Sequence, residues 1–194
     1  MQLKIASHKA IKYSCLNFHY AKAIPATKIA YNVFNKNKEW CGCITFGSGA
    51  NYKLGFQYGL VNGQFLELTR MALNGKQEST SKAMSIAIKL IKKNFPLVKL
   101  LISYADKGQN HKGIIYQATN WIFVDETKTS GWEIFYKGKW RHDRIKSHIS
   151  KSILKKIPKR KKSGKYKYLY PLNNKIKKEI LKLKKPYPKN ATEV

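Results

Sequence analysis

The sequence predicts an α/β fold, a mixed central sheet flanked by helices, with a basic C-terminal extension. Three observations predict it. Short runs rich in β-branched and aromatic residues recur along the first two-thirds of the chain, on either side of one long helical pattern. A hydrophobic content of 43%, with 12% aromatics, is enough to fill a core over 194 residues, about one domain's length. The charge is lopsided: 39 Lys and Arg against 10 Asp and Glu give a net +29, and between Lys146 and Asn190 sixteen lysines and Arg160 face Glu179 alone.

The elements follow in order. KIAYNVFN and EWCGCITFG, joined by KNK, form a predicted hairpin. QFLELTRMAL alternates imperfectly at Phe65, Leu66, Leu68 and Met71 and reads best as a strand. In ESTSKAMSIAIKLIKKNF, polar capping residues precede Met84, Ile86, Ile88, Leu90 and Ile91, so a helix should begin near Ser79. VKLLISYA is continuously apolar, as a strand buried on both faces would be. QNHKGIIYQATN is expected as a shorter helix, WIFVDET as a strand, and WEIFYKGKW as a last strand antiparallel to it. Residues 1–145 are thus expected to form a mixed α/β body and 146–194 an appended lysine-rich segment. Within that segment, NNKIKKEILKLKK sets Ile176, Ile180 and Leu183 at helical spacing, able to dock on the body or to lie along a phosphate backbone.

So large a positive charge calls for a polyanionic partner, and nucleic acid is the first to consider. MQLKIASHKA has no apolar core of a signal peptide, and no run of about 18 apolar residues occurs, so no membrane partner is expected and the location should be cytoplasmic. Cys15, Cys41 and Cys43 are odd in number and lack metal-ligand spacing, which favours buried thiols. In the lysine-rich segment, Lys155, Lys156, Lys159, Arg160, Lys161 and Lys162, together with Lys22 near the N-terminus, are the candidate phosphate contacts. Deleting residues 146–194 is expected to weaken DNA binding and leave the fold intact.

Few residues carry chemistry. Asp106 is the only carboxylate between Ser79 and Val124, and it ends VKLLISYA, at the strand end where open α/β sheets bind ligands. Its plain structural role would be to cap the next helix. Tyr116, ten residues on, is a candidate acid or ligand, or else helix core; His111 is a phosphate contact or a solvated side chain. His19 and Tyr20 end a first helical stretch just before Pro25.

The order of elements resembles the acyltransferase superfamily called GNAT, in which a glycine-rich loop holds coenzyme A pyrophosphate at a helix N-terminus. The matching stretch RMALNGKQESTS has Gly75 alone and adds Glu78. Five motifs in sequence, HYxKxxP from His19, LxRM from Leu68, ES at Glu78 and Ser79, SYAD from Ser103 and HxGxIYQAxNW from His111, resemble the phage DNA-modification proteins of the Mom family. That resemblance implies conversion of adenine N6 in DNA to a carbamoylmethyl amine, shielding phage DNA from host restriction. By matching position it implies catalytic roles for His19, Tyr20, Arg70, Ser79, Asp106 and Tyr116, with Glu78 beside them, and substrate contacts at Tyr104, His111, Asn120 and Trp121. Asp106 would accept the N6 hydrogen, and Tyr20, Tyr104 and Trp121 would stack on an extruded base. The two-carbon donor is left open among acetyl-CoA, a glycine-derived group and an aminoacyl-tRNA. Iron held by His19, Tyr20, Asp106 and Tyr116 is an alternative route. Two other readings stand beside this one: a conventional N-acetyltransferase acting on a protein or small amine, and a non-catalytic DNA-binding protein.

Overall fold

The computed structural model describes residues 1–49, 51–127 and 131–188; residues 189–194 of the basic segment lie outside the described residues. β1 (Gln2–Ile5), α1 (His8–Asn17), β2 (Ile29–Phe34), β3 (Trp40–Gly47), β4 (Phe65–Leu73), α2 (Thr80–Asn94), β5 (Leu100–Asp106), α3 (Ile114–Ala118) and β6 (Ile122–Thr127) come first in the chain. They are followed by β7 (Trp132–Tyr136), β8 (Lys139–His142), α4 (Lys151–Lys156), β9 (Lys159–Lys161), β10 (Lys165–Pro171) and α5 (Asn174–Leu181). The main sheet has seven strands in the order β1-β2-β3-β4-β5-β10-β6. Its neighbours are antiparallel except β4 and β5.

Helices cover both faces. α2 presents Ala83, Met84, Ala87, Ile88 and Ile91 to Tyr31, Ile44, Phe46, Leu66 and Leu101, a core that also takes in Trp121 and Tyr168. On the opposite face α1 sets Ile11 and Cys15 against Ala30 and Ala72, and α5 sets Ile176 and Ile180 against Leu169 and Ile122. All three cysteines are buried free thiols. No helix among the described residues is long and apolar enough to cross a membrane.

One irregularity positions the site. β4 and β5 pair only over residues 65–67 with 100–102. Beyond that point β4 stays with β3 as far as Leu73, and β5 stays with β10 as far as Asp106. The two strands therefore part like the arms of a V. A bulge helps: Thr45 pairs with Arg70 and Phe46 with Leu68, so Thr69 is an extra residue that bends β4 away.

Three expectations are corrected here. β10 lies inside the main sheet between β5 and β6, so a boundary at residue 145 would cut the sheet, and deleting 146–194 would remove a central strand. KYKYLYP reads as basic tail by composition, yet it buries Lys167, Tyr168 and Leu169. WEIFYKGKW is not one strand paired with β6; it turns at Lys137 and Gly138, both with left-handed φ (51° and 74°), and forms a separate three-stranded sheet, β8-β7-β9. The helix expected over QNHKGIIYQATN shrinks to Ile114–Ala118, because Asn110 (φ 55°) and Gly113 (φ 78°) are left-handed and break it, leaving His111 in a loop.

Candidate active site

The V between β4 and β5 opens into a cavity of about 650 Å³, and residues 67–71 and 104–105 of the two arms line it. Phe18, His19 and Tyr20, from the turn after α1, lie at one side, and residues 110–116 at another. Four of the five sequence motifs meet here because the chain reaches this opening four times, at residues 18–20 and 67–71, within 104–116, and at Lys165. Of the predicted residues, His19, Tyr20, Arg70, Tyr104, His111 and Tyr116 line the cavity.

Tyr20 supplies the flattest surface. Its half-exposed ring stacks on His19 (centroids 4.3 Å apart, 30° between planes), and His111 meets it edge-on at 5.7 Å. His19 Nδ1 accepts the Ala21 N–H (3.1 Å), which leaves the proton of the neutral ring on Nε2. Burial, and then the charges of Arg70, His111 and Lys22, push the imidazole pKa down to about 4. At neutral pH His19 is thus an uncharged hydrogen-bond donor. Because the folded state takes up its proton only near pH 4 and the unfolded chain near 6.5, this group adds stability that is fully present above 6.5 and is lost as pH falls through 4. NMR titration of the His19 ring should show a midpoint about two units below that of a free imidazole; a midpoint near 6.5 would contradict this burial.

Arg70 supplies the cation. Its Nη1 donates to the Thr69 carbonyl (2.6 Å), while Nε is buried without a protein partner. An unpaired buried guanidinium N–H is costly unless something else accepts it, which suits an oxyanion, carboxylate or phosphate in the cavity. Tyr116 accepts a hydrogen bond from Ser103 Oγ (2.8 Å), and burial pushes its pKa up to about 12, so it keeps its proton. Its ring is fixed by Trp121 and Tyr168, at 5.3 and 5.0 Å.

The carboxylate at the vertex of the V was missed by sequence reasoning. Glu67 is the last β4 residue paired with β5, opposite Ile102, and it lines the cavity. Its charge contributes to the raised pKa values of Tyr104 and Tyr116, after burial in both cases. Gly49 makes room for it, since a Cβ there would sit 2.0 Å from a Glu67 carboxylate oxygen. The signal was in FLEL: a glutamate sharing the face of Phe65 must point inward.

Other predicted residues have different work. The Asp106 carboxylate accepts the Gly108 N–H (2.9 Å) and the Ser163 hydroxyl (3.4 Å), and sits 4.0 Å from Lys165 Nζ. It fixes the turn after β5 and is not among the cavity-lining residues. Asp106→Asn keeps an acceptor for Gly108 and should change thermal stability by less than about 1 kcal/mol, measurable by urea unfolding. Ser79 caps α2 by accepting the Lys82 N–H (3.1 Å) and also lies outside the cavity lining. Trp121 is fully buried, so it cannot stack on a base, and Asn120 occupies an exposed left-handed turn (φ 61°). Lys22 Nζ binds the Asn17 carbonyl at the end of α1 (2.8 Å).

The metal set is not assembled. Asp106 serves its turn, His19 Nδ1 and the Tyr116 oxygen are engaged within the protein, and no group of three or more His, Cys, Asp or Glu among the described residues is placed to hold a metal ion. Ahead of α2, Gly75 has open space around it, the Glu78 carboxylate accepts the Lys36 N–H, and Ser79 already occupies the helix cap.

Comparison with known proteins agrees with this architecture. The profile of the Mom protein family matches residues 1–189. Over 186 residues the chain is 27% identical to "Methylcarbamoylase mom" of Escherichia phage Mu, covering 88% of this chain and 76% of that protein. Among solved structures, spermidine/spermine N-acetyltransferase SpeG from Vibrio cholerae superposes with a TM-score of 0.53 at 8% identity, covering 91% of this chain and 95% of that one. A GNAT-family acetyltransferase from Bacillus anthracis gives 0.51 at 11% identity, with 90% and 97% covered. The chain belongs to the Mom protein family, as an enzyme built on the GNAT acetyltransferase fold.

Proposed function

We propose that this enzyme modifies adenine in DNA, adding a carbamoylmethyl-type two-carbon unit at N6 and so protecting phage DNA from restriction in the host cytoplasm. The observation that carries the reading is a cavity combining an exposed stacking ring, Tyr20 on His19, with one inward carboxylate, Glu67, and one cation with an unpaired N–H, Arg70. The name of the phage Mu relative supports the same group. In a duplex adenine N6 is paired and held in the plane of the stack, so the base must leave the stack to react, and Tyr20 offers the surface to receive it. N6 is almost non-basic and must lose a proton as it reacts. Glu67, which lines the cavity, is placed to take that proton, while Asp106 lies outside the lining and acts on Tyr20 through its charge. As the N6–carbon bond forms, the bond from that carbon to the activating group of the donor breaks; Arg70 and the Nε2–H of His19 stabilise the negative charge developing on the departing group, and Tyr116, protonated across the physiological range, gives it a proton.

The donor in this reading is an activated two-carbon group. Coenzyme A is what the fold would suggest, but the α2 N-terminus does not fit its pyrophosphate: Glu78 brings negative charge there and Ser79 fills the cap. No step is therefore assigned to it. Ordinary acetyl transfer to a protein or small amine predicts stabilisation of the chain by acetyl-CoA, and a thermal shift of several degrees would favour that reading over ours. The test of ours is nucleoside mass spectrometry on DNA from bacteria producing the chain: an adenosine heavier by one carbamoylmethyl group supports it, and unmodified adenosine contradicts it.

A further inference from the structure

The three-stranded β8-β7-β9 sheet has no part in the cavity. On one of its faces Phe135 and Trp140 are direct cross-strand partners, their rings edge-on at 5.4 Å. The Arg160 guanidinium lies 4.3 Å over the Trp140 ring, held there by Glu133 (2.9 Å). Phe135 remains 38% exposed and the Arg160 side chain 52%. Between residues 131 and 162 the carboxylates are Glu133 and Asp143, paired with Arg160 and Lys146, against ten Lys and Arg beyond those two cations. A pre-oriented aromatic and guanidinium surface on a segment so rich in lysine and arginine suits a chain of anions carrying flat rings. Unpaired nucleotides are that ligand, since bases stack on aromatic and guanidinium planes while lysines meet phosphates.

The position relative to the cavity fits. β9 runs through residues 162–164 directly into Lys165, which lines the cavity. Lys165 follows Arg160 by five positions, so their backbones are at most about 18 Å apart. The connection is pinned at its cavity end, where Ser163 donates to Asp106 and the Gly164 carbonyl accepts the Lys107 N–H.

We propose that this sheet is a stacking platform for a short unpaired stretch of DNA beside the extruded adenine. The inference rests on DNA being the substrate. Fluorescence anisotropy with a thymidine oligonucleotide of about ten residues and with a blunt duplex tests it. The double variant Phe135→Ala/Trp140→Ala should bind the single strand about ten-fold or more weaker, with an unchanged salt slope and unchanged duplex affinity. Phe135→Tyr/Trp140→Phe keeps both rings and should retain most single-strand binding, which separates stacking from loss of fold. Equal single-strand binding by the Ala variant, or equal loss of duplex binding, would overturn the platform. So would a loss confined to phosphatidylserine vesicles, which would make the face a lipid surface. Nucleoside mass spectrometry on the wild type reports on the modification reading separately: unmodified DNA with ring-dependent strand binding would sink the enzymology and leave the platform standing.

Discussion

Glu67→Gln is expected to slow adenine modification by about 10²- to 10⁴-fold, the usual loss when a positioned general base is removed. Glutamine matches the shape of the carboxylate and keeps an oxygen beside Gly49, where a Cβ would collide with it. What it cannot do is take a proton from the adenine amine. Binding of adenine-containing DNA should therefore stay close to that of the native chain while turnover falls. A second readout does not depend on activity at all. Burial is the main cause of the raised pKa values of Tyr104 and Tyr116 and the Glu67 charge a smaller one, so its neutralisation should lower both phenols somewhat and leave them above ordinary tyrosine values in an ultraviolet titration. Unchanged turnover with lowered phenol pKa values would mean that Glu67 lines the cavity without acting in it.

A chain ending at residue 145 is expected to lose cooperative folding. β10 makes ladders with β5 on one side and β6 on the other, and without it β6 has no strand partner in the main sheet. The loss also takes Tyr168, Leu169, Leu172, Ile176 and Ile180 out of two cores. At about 2 kcal/mol for each buried side chain, these five amount to about 10 kcal/mol, as much as the whole stability of a typical domain. Circular dichroism on heating should show no sharp transition; a cooperative melt within a few degrees of the full chain would contradict the topology. Lysine substitutions in the exposed part of the same segment, at Lys155, Lys156, Lys159 and Lys161, are the right way to test phosphate contact there.

Much of the fold was legible in the chain. The hairpin of β2 and β3, the α2 cap at Ser79 and the doubly buried β5 follow from local patterning alone. β10 was hidden because lysines alternate with tyrosines in KYKYLY: composition reads as a charged tail, while period two reads as a strand. In the site, His19, Tyr20, Arg70 and Tyr116 were reached through motif order, and the structure gathers them around one opening. Asp106 was favoured for its place at a strand end, and its carboxylate accepts a backbone N–H two residues on while its charge still reaches Tyr20. Glu67 was passed over because nothing local to FLEL announces that β4 and β5 diverge there. That divergence depends on the Thr69 bulge and on β10 capturing β5, both long-range facts.

The most direct test compares nucleosides from bacterial DNA after production of the native chain, Glu67→Gln and Asp106→Asn at equal soluble levels. The expected result is a heavier adenosine with the native chain, its near-disappearance with Glu67→Gln and its persistence with Asp106→Asn. Unmodified adenine with the native chain, or loss caused by the Asp106 change and not by the Glu67 change, would contradict a reaction housed between the parted strands.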